Sequence, residues 1–165
     1  MIAYKFLDAG RAPFTGFRWP QDEWVEAAHV APCRGGVHAC RVRDLPFWLG
    51  RDLWEIELGG DVIEEERKVV AGRGRLVRRI EDWTPQLLDS FVDDLLERTR
   101  LRFGSVAVLS GYVHDILRFR SEARFGLAAL AAARAAELGG GPRAYERERA
   151  RQAAWLANRL GLPAD

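Results

Sequence analysis

Trp54, Ile56 and Leu58 alternate with Glu55 and Glu57, and a period of two predicts a half-buried β-strand over 53–58. Shorter runs of strand formers precede it. Ala3 to Leu7 ends in a turn at Asp8, Gly10 and Pro13. Phe17 to Trp19 stops at Pro20, Trp24 to Ala27 is brief, and Gly36 to Cys40 follows a Gly-Gly turn. Leu45 to Leu49 reads as one helical turn, with Asp44 as its cap and Pro46 in its first turn. Gly59, Gly60 and Asp61 predict a turn after the alternating strand. Lys68 to Ala71 and Arg75 to Ile80 then form a last strand pair, separated by Gly72 and Gly74.

Beyond Trp83 the spacing becomes helical. Thr84 is placed as an N-cap with Pro85 at the first helical position. Leu87, Leu88, Phe91, Val92, Leu95 and Leu96 follow as a core-facing stripe. Gly104 and Ser105 separate this helix from a long one that runs to about Leu138, with a break expected near Gly126. Gly139 to Pro142 stops that helix. A last helix sets Tyr145, Gln152, Leu156 and Leu160 on one face and ends at Gly161. The expected fold is α+β, a small antiparallel or mixed N-terminal sheet followed by a three-helix C-terminal region. The domains expected are a β-rich one over 1–83 and a helical region over 84–165. The helices either pack on the sheet or mediate self-association.

Composition adds limits. A chain of 165 residues that is 48% hydrophobic and 30% charged is globular rather than disordered. Basic and acidic residues number 25 and 24, so there is no basic face to argue for nucleic acid and no polybasic membrane anchor. All the basic residues are arginine except Lys5 and Lys68. The apolar tract from Gly126 to Ala133 falls far short of the ~20 residues of a membrane span. The first residues show no signal-peptide pattern. A soluble, cytoplasmic protein in a reducing environment is expected.

The densest chemistry is His29, Cys33, His38 and Cys40, which hold both cysteines and two of the three histidines. In an extended segment His38 and Cys40 share a face, and the Gly35-Gly36 turn could return Cys33 beside them. His29 or His114 would complete a tetrahedral zinc site. Against this, His-x3-Cys-x4-His-x-Cys lacks the usual Cys-x2-Cys or His-x3-His pairing. The alternative leaves Cys40 as a small buried hydrophobe, His38 hydrogen-bonded, and Cys33 in a turn after Pro32, within disulfide reach of Cys40. A nucleophilic cysteine needs a depressed thiol pKa, which spacing does not reveal. Glu55 and Glu57 form a second candidate, since paired carboxylates on one strand face can hold a ribose or act as acid and base. Otherwise they belong to a solvated face. The run Glu64 to Lys68 reads as an exposed turn with local charge pairing. His114, amid apolar helical residues, reads as a helix-interface histidine.

The residues Cys33, Gly36, Val37, His38, Ala39 and Cys40, then Asp44 to Leu49, Leu53 to Gly59 and Lys68 to Ala71, resemble a bacterial and phage family of unknown function. Its signature is a C-x-x-G-[FLV]-H-A-C segment followed by a W-E-[IV]-E strand. Tyr4 to Leu7 and Arg147 to Gly161 are similar to longer members. The resemblance brings no mechanism, but it implies a phage or mobile-element setting. A looser topological likeness to ADP-ribosyltransferase-like domains would place Tyr4 or Lys5, His38, and Glu55 or Glu57 along an NAD cleft. The chain lacks that fold's S-T-S strand, so any such site would be degenerate, and fold analogy alone does not carry function.

Three functions follow. The first is a non-enzymatic binding or regulatory module that meets a protein partner through Trp19, Trp24, Trp48 and Trp54. The second is an NAD-binding domain centred on His38 and Glu55. The third is a small zinc-stabilised domain held by Cys33, His38, Cys40 and His29. The first is preferred, because neither alternative has its full set of residues.

Overall fold

The computed structural model describes residues 1–103 and 107–163. The chain is α+β, with five strands followed by helices. It divides into two compact units, one built on Met1–Trp83 and one on Thr84–Leu162.

In the first unit, strands β1 (Ile2–Leu7), β2 (Val25–Glu26), β3 (Val37–Ala39), β4 (Asp52–Glu64) and β5 (Val69–Arg79) form one antiparallel sheet. β4 lies between β1 and β5, while β2 and β3 both pair with β5. Immediately after β3, Cys40 and Tyr4 exchange both backbone hydrogen bonds at 2.8 Å. That pair joins the β3 segment to β1, so the ladder β1–β4–β5–β3 closes on itself. Closure removes unpaired strand edges.

Alternation along β1 sends Ala3, Lys5 and Leu7 to one face. Ala3 and Leu7 pack there with Trp19, Val37, Ile56, Val69 and Leu76. This is the interior of the closed sheet. On the opposite face of β1, Phe6 meets the ring of Trp83 with centroids 5.2 Å apart, and Trp83 Nε1 donates to the Gly50 carbonyl at 3.1 Å.

The two glycine clusters expected as turns lie within strands. β4 continues through Gly59, Gly60 and Asp61, with a register shift between Gly59 and Val62 and a φ of +72° at Gly60. A bulge of this kind bends and twists a strand without ending it. β5 likewise runs unbroken through Gly72 and Gly74. At Gly74 a Cβ would stand 2.7 Å from Val37 Cγ1 and 3.0 Å from Ile56 Cδ1, so glycine is required for close approach. The turn falls instead at Glu65–Lys68, closed by Glu65 N–H donating to the Lys68 carbonyl at 2.9 Å.

That turn is held from behind. Buried Arg41 bonds Glu64 Oε2 at 3.0 Å and the carbonyls of Glu65 and Glu66 at 2.6 and 3.0 Å. Trp48 Nε1 donates to the Arg67 carbonyl at 2.6 Å. Arg41 also pairs with Asp44 at 2.6 Å ahead of a 3-10 helix over Val42–Phe47. Asp44 therefore acts from inside that helix, accepting from Arg41 N–H at 3.3 Å, and is not its N-cap. The segment read as a plain charged turn is tied into the fold.

The second unit contains α1 (Pro85–Phe103), α2 (Ala107–Ser121), α3 (Phe125–Gly140) and α4 (Pro142–Leu160). Leu87 N–H donates to Thr84 Oγ1 at 3.2 Å, the expected cap, and Leu88, Phe91, Val92, Leu95 and Leu96 are buried. The expected separation at Gly104 and Ser105 lies outside the described residues. The long helix expected to break near Gly126 divides earlier, at Glu122–Arg124, with Ala123 at a φ of +54°. Four α-helices result among the described residues. Alanines 128, 129, 131, 132, 133, 135 and 136 are all buried on α3. Tyr145, Gln152, Leu156 and Leu160 are buried on α4 as expected, and Gly161 ends that helix in the left-handed conformation. No helix among the described residues is long and apolar enough to cross a membrane.

Candidate functional site

The motif residues surround the seam where β3 meets β1, but they do not converge on one point. His29 is exposed and its ring lies over Gly35, where a Cβ would come within 2.5 Å of Nε2. Cys33 is exposed and Cys40 buried, and both are free thiols. Cys33 has a φ of +63°, and its sulfur accepts from Lys68 Nζ at 2.8 Å. Lys68 is also paired with Glu65 at 3.1 Å. No group of three or more His, Cys, Asp or Glu side chains is assembled as metal donors among the described residues. His114 is exposed on α2, in the other unit.

His38 is partly buried opposite Val70 in the β3–β5 ladder. Its pKa lies below the usual imidazole value. Burial is the main cause, and the charges of Lys68 and Lys5 push in the same direction. Nε2 is enclosed without a hydrogen-bond partner among the described residues. Burial and both lysines therefore favour the neutral ring.

Lys5 is the residue that sequence reasoning undervalued. It stands on the inner face of the sheet, half-buried, donates from Nζ to the His38 carbonyl at 2.6 Å, and lies 4.7 Å from the centre of the Trp19 ring. It makes no ion pair with a carboxylate among the described residues. Desolvation lowers its pKa to about 8, while nearby Cys40 pulls the other way. A signal was available in the sequence, because both lysines of an otherwise arginine-only chain flank the motif.

Glu55 and Glu57 do share a strand face, but each is held by an arginine from β5. Arg78 reaches Glu55 at 2.8 Å and Arg75 reaches Glu57 at 2.6 Å. Neither glutamate lines the cavity described next.

Across β1, β4 and β5, Lys5, Trp54 and Arg79 stand in register, so their side chains share a face. Trp54 and Arg79 open onto a cleft of about 900 Å³, walled also by Trp19, Arg18 and Asp52. Asp52 is committed twice, to Arg79 at 2.7 Å and to the Ala9 N–H at 3.0 Å. Arg18 also lines the cleft and has no ion-pair partner among the described residues. Arg51 and the carboxylate of Glu81 complete its charged lining, so the cleft combines two indole walls with three arginines and two acidic residues, a small excess of positive charge. Of the four tryptophans expected to form one surface, only Trp19 and Trp54 line it. Trp24 lies between Arg73 and Arg75, and Trp48 is bonded at the turn behind β4.

No curated protein and no solved structure matches the chain. A family profile does match, over residues 1–86, the span that holds the closed sheet, the motif and the cleft. On that match the chain belongs to the family described as domain of unknown function DUF7666.

Proposed function

We propose that the unit built on Met1–Trp83 is a non-enzymatic binding module, and that its ligand is a small planar anion held in the cleft between Trp19 and Trp54. The observation that carries this is the pairing of indole walls with Arg18, a guanidinium without an acidic partner. Aromatic faces take up planar groups, and a free guanidinium recognises phosphate or carboxylate with directed hydrogen bonds. Pockets of several hundred cubic ångströms with a few convergent polar groups are the usual form of small-ligand sites. The paired state of Glu55 and Glu57 favours binding over catalysis, because neither carboxylate is free to move a proton. Two free thiols suit a reducing cytoplasm, and the motif's family resemblance suggests a phage or mobile-element setting.

NAD joins planar rings to an anionic pyrophosphate, so it is the natural first probe. Quenching of tryptophan fluorescence is followed as NAD and AMP are added up to millimolar concentration, in wild type and in Arg18→Glu. The expected result is saturable quenching that Arg18→Glu weakens at least tenfold. A thermal shift gives an independent readout, since ligand at 100 times its Kd stabilises by ~2.7 kcal/mol. Identical titrations for wild type and Arg18→Glu would remove this reading of the cleft.

A further inference from the structure

The reading above leaves Lys5 without a role, and its placement is costly. An ammonium taken from water with no counter-ion is among the least favourable groups a small core can hold. Methionine would fill the same space without that cost. Lys5 nevertheless stands between Ala3 and Leu7 on the inner face of the closed sheet. One backbone carbonyl and the face of Trp19 are its contacts. Trp19 is almost fully buried and is at once the cover of the amine and a wall of the cleft. The half-buried amine therefore lies beside the ligand site, against Trp19 and in the same cross-strand row as Trp54 and Arg79.

We infer that Lys5 is a covalent capture residue, whose amine condenses with the carbonyl of a small anionic aldehyde or ketone bound in the Trp19–Trp54 cleft. This rests on the proposed binding function and narrows its ligand to one that carries a carbonyl group. In the step, the Nζ lone pair adds to the carbonyl carbon, and the C=O π pair moves to oxygen. Two protons from the amine then leave with that oxygen as water, so amine plus carbonyl gives imine plus water with no oxidant or reductant. The lowered pKa of Lys5 supports this by supplying the free amine near neutral pH, a recognised route to a nucleophilic lysine. Lys68 is the contrasting case. Its contacts with Cys33 and Glu65 raise its pKa and hold the amine protonated.

The test uses pyridoxal 5′-phosphate as a probe, because it combines a planar ring, an anionic group and an aldehyde. The full-length protein is incubated with it and reduced with borohydride, which fixes any imine as a secondary amine, and the adduct is located by peptide mass mapping. The expected adduct is on Lys5 itself, distinguished from the Met1 amine of the same peptide by its fragment masses. It persists in Lys68→Arg and is lost in Lys5→Arg. Mapping of the wild type assigns the position even if a variant fails to fold. Labelling confined to Lys68 or the Met1 amine overturns the inference. Tryptophan quenching by the probe without any adduct overturns it too, making Lys5 a structural strut while leaving the binding module intact. Absence of both quenching and adduct overturns this inference and the binding reading together.

Discussion

The most consequential residues of the first unit are two titratable groups that share a seam. His38 has a folded pKa below that of the free imidazole. Between that lower value and about 6.5 the unfolded chain therefore binds more protons than the folded one. Stability should fall as pH drops below about 6.5, and His38→Gln should flatten that part of the curve. Urea midpoints across pH 5 to 7 for both proteins check this, and parallel curves would count against it. Lys5 gives a second window on the alkaline side. Its folded pKa of about 8 lies below the ordinary lysine value of 10.5, so folding releases a proton between those limits and stability should rise with pH there. In Lys5→Met that rise should vanish while the protein stays folded. The comparison between the two proteins isolates Lys5 from the other groups that titrate above pH 8.

The chemistry of these residues was only partly legible at their own scale. The run from Cys33 to Cys40 stood out in the sequence, and His38 was identified there. The reading of Cys40 as a buried hydrophobe and Cys33 as a turn residue matches their exposure, but nothing in the spacing showed that both lysines act on His38. That fact depends on which residues stand opposite β3, and that register is fixed by the backbone pairs Val37–Ala71 and Tyr4–Cys40.

Among the elements, the long β4–β5 hairpin decides the most. Its glycines carry turn signals in the sequence, yet at Gly59–Asp61 they serve a bulge and at Gly74 a tight crossing of side chains. Gly74→Ala brings a methyl group against Val37 and Ile56, and overpacking of this kind costs about 1–3 kcal/mol. A lowered urea midpoint with an unchanged slope is the expected readout. Arg41 is the other support of the hairpin. Replacing it with methionine leaves Asp44 buried without its cation, a loss of about 3–5 kcal/mol for a broken buried pair. A smaller effect, below about 1 kcal/mol, would place Arg41 with ordinary surface ion pairs. Local propensity could not announce Arg41, because its partners at Glu64, Glu65 and Glu66 are more than twenty residues away in sequence.

For the whole molecule, the change of composition at Trp83 coincides with the division of the chain into two compact units. The family match ends close to the same point, at residue 86. We expect residues 1–86 expressed alone to fold cooperatively and to keep the quenching response of the full chain. Near-UV circular dichroism and NAD titration of that fragment test the expectation, and a fragment without tertiary signal would show that the sheet depends on the helices.

By itself the sequence determined the α+β class, the order of strands before helices, the capped start of α1 and the glycine stop of α4. Each is a local property, set by periodicity, capping residues or composition within a few residues. Tertiary structure alone decided the closure of the sheet through Tyr4 and Cys40, the inward aim of Lys5, and the assembly of Trp19, Trp54, Arg18 and Arg79 around one cleft. The physical reason is that strand register and loop packing bring together side chains far apart in the chain: Trp54 and Arg79 meet across β4 and β5, while Arg18 and Trp19 reach the same cleft from a loop.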